Sequence, residues 1–73
     1  MTVYLIAVKR ERRADAPRDW SRRLRQIPGL TVTGGADPYR VQVEATDDAI
    51  ARARRELGDL CHIEPAIPHR PLG

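Results

Sequence analysis

Seventy-three residues make one small domain, and a chain of that size buries only about 60% of the surface it exposes when unfolded. Its single cysteine, Cys61, excludes an internal disulfide, and without further ligands beside it a structural zinc site. The net charge is +3 and twelve of the thirteen basic residues are arginine, yet acids are interleaved with them, which points to solvated helix faces rather than to nucleic acid.

With no Phe, one Trp and 41% apolar residues, the core has to be aliphatic and thin. A partner or a second copy is then a natural supplement to stability. The opening apolar run is too short to cross a bilayer, and no basic-apolar-small signal precedes it. The expectation is a soluble, cytoplasmic chain, unless it is part of a longer secreted precursor.

Val3-Tyr4-Leu5-Ile6-Ala7-Val8 is an unbroken run of strand formers, the pattern of a central strand. A polar stretch from Lys9 to Ala14 leads away from it. Asp15 is a candidate cap for a first helix with Pro17 in its first turn. In that helix Ala16, Trp20, Leu24 and Ile27 share one face, Arg18, Arg22 and Arg25 the other, and Pro28-Gly29 ends it. Leu30-Thr31-Val32-Thr33 alternates with period two, and so does Tyr39-Arg40-Val41-Gln42-Val43-Glu44. Between them Gly34-Gly35-Ala36-Asp37-Pro38 is a turn, so the pair reads as a hairpin with one wet face.

Thr46 is the expected N-cap of a second helix, with Asp47 and Asp48 at the positive end of its dipole. Ile50, Ala53 and Leu57 form its apolar stripe, and Gly58 suits a left-handed stop. Three i,i+4 pairs, Asp19 with Arg23, Asp48 with Arg52 and Arg52 with Glu56, are placed to lace the helix surfaces. The chain then closes on a short strand over Leu60-Cys61-His62-Ile63-Glu64-Pro65 and a tail over residues 66–73. Pro65 and Pro68 lack the N–H that an inner strand needs, which assigns the last strand to a sheet edge.

The order strand, helix, strand, strand, helix, strand predicts an α+β fold of the ferredoxin-like, split βαβ type. It is a single domain over residues 1–73, with a four-stranded antiparallel sheet and two helices on one face. Right-handed crossovers place the first and third strands in the centre. The uncovered face then carries one row of the first strand, either Val3, Leu5 and Ala7 or Tyr4, Ile6 and Val8. As the docking set we take Tyr4, Ile6 and Val8 with Thr31, Arg40, Gln42, Glu44, His62 and Glu64, an apolar strip with a polar rim.

The chain resembles the inhibitor-type propeptides of subtilisin-like serine proteases and their free-standing relatives. The resemblance is carried by the opening strand Tyr4-Leu5-Ile6-Ala7-Val8-Lys9, a last helix ending in Leu57, and the closing Leu60-Cys61-His62-Ile63-Glu64-Pro65. It implies an inhibitor or folding assistant whose open sheet face docks on two surface helices of the protease. Glu64 would fall near the docking acid that caps a protease helix. The tail residues Ile67, Pro68, His69, Arg70, Pro71 and Leu72 would enter the active-site cleft in extended form. The terminal Pro71-Leu72-Gly73 departs from the protease-preferred end that the family offers.

Other chemistries find less in the sequence. An RNA-recognition domain of the same topology needs paired aromatics on its third strand, where this chain has only Tyr39 at the start. Cys61 and His62 are neighbours on a strand and point to opposite faces, so they do not share a metal ion easily. No Ser/His/Asp or Cys/His set stands out, Ser21 is a lone helix serine, and Gly34-Gly35 lacks the context of a phosphate loop. The expectation is therefore a non-enzymatic module with no cofactor, metal, membrane or nucleic-acid partner. Its partner is a protein, and the alternative to a protease is a regulatory module that homodimerises through its sheet.

Overall fold

The computed structural model describes residues 2–35 and 37–66. Its elements follow the expected order: β1 (Thr2–Val8), a 3-10 turn (Arg10–Arg12), α1 (Trp20–Arg25), β2 (Leu30–Gly34), β3 (Arg40–Ala45), α2 (Asp47–Leu57) and β4 (Cys61–Pro65). The four strands form one antiparallel sheet in the order β2-β3-β1-β4. This is the ferredoxin-like split βαβ arrangement, with β1 and β3 inside and β2 and β4 at the edges.

Alternation along the strands divides the sheet into two faces. Tyr4, Ile6 and Val8 of β1, Val41, Val43 and Ala45 of β3, and Cys61 and Ile63 of β4 are buried on one of them. They form a single cluster with Trp20, Leu24 and Ile27 from the α1 region and with Ala49, Ile50, Ala53 and Leu57 of α2. Both helices therefore cover the same face. The largest fully enclosed side chains are Ile6, Leu24, Leu57 and Val43, and each contributes about 1.5–3 kcal/mol by leaving water.

The register explains why β4 tolerates a proline. Lys9 N donates to Leu60 O (2.9 Å) and Ala66 N to Val3 O (2.9 Å), so the odd-numbered residues of β1 carry the bonds to β4. Tyr4 and Pro65 are directly opposed between two such pairs, at a position that makes no bond across the ladder. The Pro65 nitrogen thus faces outward, where its missing N–H costs the sheet nothing and blunts the edge.

α1 begins later than the sequence suggests. Asp15 does not cap it, and Pro17 precedes it, its carbonyl accepting from Trp20 N at 3.1 Å. Pro17 disfavours helical geometry at Ala16, and the stretch before it winds in tight turns, Arg12 N to Lys9 O and Asp15 N to Arg12 O. The result is a helix of six residues, too short to persist alone. It is held by Trp20, whose Nε1 donates to Pro38 O across the β2–β3 connection at 2.9 Å.

α2 follows its sequence more closely. Thr46 caps it, the hydroxyl oxygen accepting from Ala49 N at 3.2 Å. Gly29, at φ +84°, ends the turn after α1 against that cap: its carbonyl accepts from Thr46 N at 3.1 Å. A Cβ on Gly29 would stand 2.8 Å from Thr46 Oγ1, so glycine is needed there for both conformation and space. Gly58 does not take the left-handed stop foreseen for it; it remains right-handed at φ −61°. Its requirement is steric, since a Cβ would collide with the Arg54 carbonyl oxygen. Of the three expected helix pairs, Arg52–Glu56 forms among the described residues, and the other two do not close.

Candidate docking face

The face of the sheet that no helix covers is the candidate site. Three rows of side chains cross it, fixed by the pairing of β3, β1 and β4. Arg40, Ala7 and His62 form one row, and Gln42, Leu5 and Glu64 the next. Thr31, Glu44 and Val3 form the third, with β2 supplying the threonine. Val3, Leu5 and Ala7 are half-buried, and Thr31, Arg40, Gln42, His62 and Glu64 are exposed. Leu5 and Ala7 line a shallow hollow with Arg40, His62 and Glu64 around it.

This arrangement corrects the docking set at β1. Tyr4, Ile6 and Val8 lie beneath the helices, at 8%, 0% and 3% exposure. The outward row is Val3, Leu5 and Ala7. Both rows are apolar, so periodicity alone does not separate them. The signal that does is size: the row with the tyrosine and isoleucine offers more area to a thin core than the row ending in alanine. The other strand residues of the expected set, Thr31, Arg40, Gln42, Glu44, His62 and Glu64, share the open face. Ile67, Pro68, His69, Arg70, Pro71 and Leu72 lie outside the described residues.

The polar rim is partly tied to itself. His62 Nε2 and Glu64 Oε1 are 2.8 Å apart, two residues along β4 and therefore on one side of it. Thr33 Oγ1 donates to Gln42 O at 3.2 Å, next to an irregularity in the β2–β3 register between Val32 and Gly34. Arg40 and Glu44 make no salt bridge among the described residues. They stand at opposite ends of β3, so the face is positive at one end and negative at the other.

On the opposite side of β4, Cys61 is 2% exposed. Burial pushes its thiol up from 9.0 to about 11, against a smaller downward pull from Lys9, so it stays a neutral thiol at physiological pH. His62 points to the other face, as strand alternation requires. Tyr39, just before β3, is half-buried with the Arg13 guanidinium 5.1 Å above its ring. Among the described residues no three His, Cys, Asp or Glu side chains gather as metal ligands. No helix among them is long and apolar enough to cross a membrane.

No protein-family model matches the chain, and neither the curated proteins nor the solved structures contain a significant match to it.

Proposed function

We propose that this chain is a non-catalytic docking module that binds a subtilisin-like serine protease through its open sheet face and acts as its inhibitor or folding assistant. The observation that carries this is the half-buried row Val3, Leu5 and Ala7, set between the polar rims of β3 and β4 on a face its own helices leave uncovered. An apolar centre with a polar rim is the anatomy of a protein interface. Two helices lying side by side on the protease would seat against that row. The Glu64 carboxylate would then accept from the free N–H groups at one helix N-terminus, where the dipole favours an anion.

The edge strand supports the second half of the mechanism. β4 leads through Pro65 directly into residues 67–73, so a docked sheet would deliver that segment to the neighbourhood of the cleft. Pro68 and Pro71 restrict the segment's conformations, which lowers the entropy lost on binding an extended cleft.

Titrating the full chain, and a chain lacking residues 68–73, into a subtilisin-type protease tests this. The full chain is expected to suppress peptide hydrolysis at stoichiometric ratio. The shortened chain should bind while leaving hydrolysis largely intact. Unchanged activity in every titration, with no complex formed, would overturn it.

A further inference from the structure

The open face is complementary to itself. Arg40 marks one end of β3 and Glu44 the other, four residues apart on the same face, or roughly 13 Å at the rise of a strand. A second copy, turned end for end about an axis that crosses the strands at Leu5, sets Arg40 over the partner's Glu44. The same operation sets Glu44 over the partner's Arg40, Ala7 over the partner's Val3, and Leu5 on the partner's Leu5. Turned instead about an axis along the strands, Arg40 falls over the partner's His62 and Glu44 over the partner's Ala66, so neither charge meets an opposite one. The two Arg40–Glu44 pairs therefore favour the end-for-end arrangement, and a two-fold interface of this kind uses one patch on both copies and closes on itself.

We propose that the open face pairs with the same face of a second copy in this end-for-end arrangement, so that the free module masks its own docking surface. The proposal shares the face with the function proposed above but does not depend on the identity of the protease. The association is weak. Four strands about 4.8 Å apart and five residues rising about 3.3 Å each make a face of roughly 15 by 17 Å. That is well short of the about 800 Å² a standard stable interface takes from each partner. One group opposes the pairing: Glu64 meets the partner's Glu64 near the axis, each hydrogen-bonded to its own His62. Docking on a protease helix makes the opposite use of Glu64, which separates the two proposals.

Sedimentation from about 10 μM to about 1 mM, the range in which so small an interface would associate, tests the pairing, with circular dichroism as the check on folding. The full chain is expected to shift from monomer towards dimer across that range. Leu5→Lys and Arg40→Glu should remain monomeric, and Arg40→Glu combined with Glu44→Arg should dimerise again, because the swap restores the opposition of charges. Glu64→Gln should tighten the dimer several-fold while weakening inhibition of a protease. A monomer throughout the range, or folded charge-swap protein that stays monomeric, or a Glu64→Gln dimer no tighter than the original, would overturn the pairing. Dimerisation is read from sedimentation and inhibition from the protease titration, so either proposal can fail while the other stands.

Discussion

Cys61 is a residue whose chemistry is set by its place in a strand. It alternates inward between Leu60 and the exposed His62, loses its contact with water, and binds its proton more tightly than a free thiol. The sign of the consequence for stability follows from linkage. The unfolded chain releases the thiol proton near 9.0 and the folded chain near about 11. Below pH about 9 both states hold the proton and Cys61 costs nothing; between about 9 and about 11 the unfolded state alone loses it, so the fold weakens as pH rises. Urea midpoints of the native chain and of Cys61→Ala, compared at about pH 8 and about pH 10.5, isolate this from other groups that titrate in the same range. The native chain is expected to lose more of its midpoint than the variant, and parallel losses would contradict the assignment. The partition of β4 residues between faces was legible in the sequence, because Cys61 and Ile63 alternate with His62 and Glu64.

At the scale of elements, what was legible was whatever local chemistry decides alone. The cap at Thr46, the apolar stripe of α2 and the edge position forced by Pro65 all follow from single residues and their immediate neighbours. α1 starts later than its sequence suggests because Asp15 and Pro17 satisfy the local rule for a helix beginning, while the chain winds through tight turns until Trp20 can anchor on Pro38. That anchor lies eighteen residues away along the chain, beyond the reach of a local rule. Gly58 ends α2 where the sequence places a glycine, but what requires glycine there is close approach of the Arg54 carbonyl rather than a left-handed turn. The cap itself is open to direct measurement. Thr46→Ala removes the acceptor for Ala49 N and the hydroxyl packed near Gly29. It is expected to cost about 1 kcal/mol in urea unfolding, and Thr46→Ser to restore most of it. Equal stability of the alanine and threonine proteins would mean that the cap bond contributes nothing.

At the scale of the whole molecule, the question is which side of β1 the helices choose. Strand order and edges were readable because connection handedness and proline placement restrict them, but the face was not. Val3-Leu5-Ala7 and Tyr4-Ile6-Val8 are equally apolar in pattern, and the choice between them is made by how much volume two short helices and a four-stranded sheet have to fill. The helices take the larger row and leave the smaller one, Val3, Leu5 and Ala7, facing outward between Arg40, Gln42 and Glu44 on one side and His62 and Glu64 on the other. Inhibition and self-pairing both depend on that outward row. Methyl NMR of the chain, with and without an active-site-blocked subtilisin-type protease, reports on it most directly. The methyl signals of Val3, Leu5 and Ala7 are expected to shift or broaden on complex formation while those of Leu24 and Leu57, on the helix side, hold still. Perturbation confined to the helix side, or none anywhere, would contradict the assignment of the open face as the docking surface.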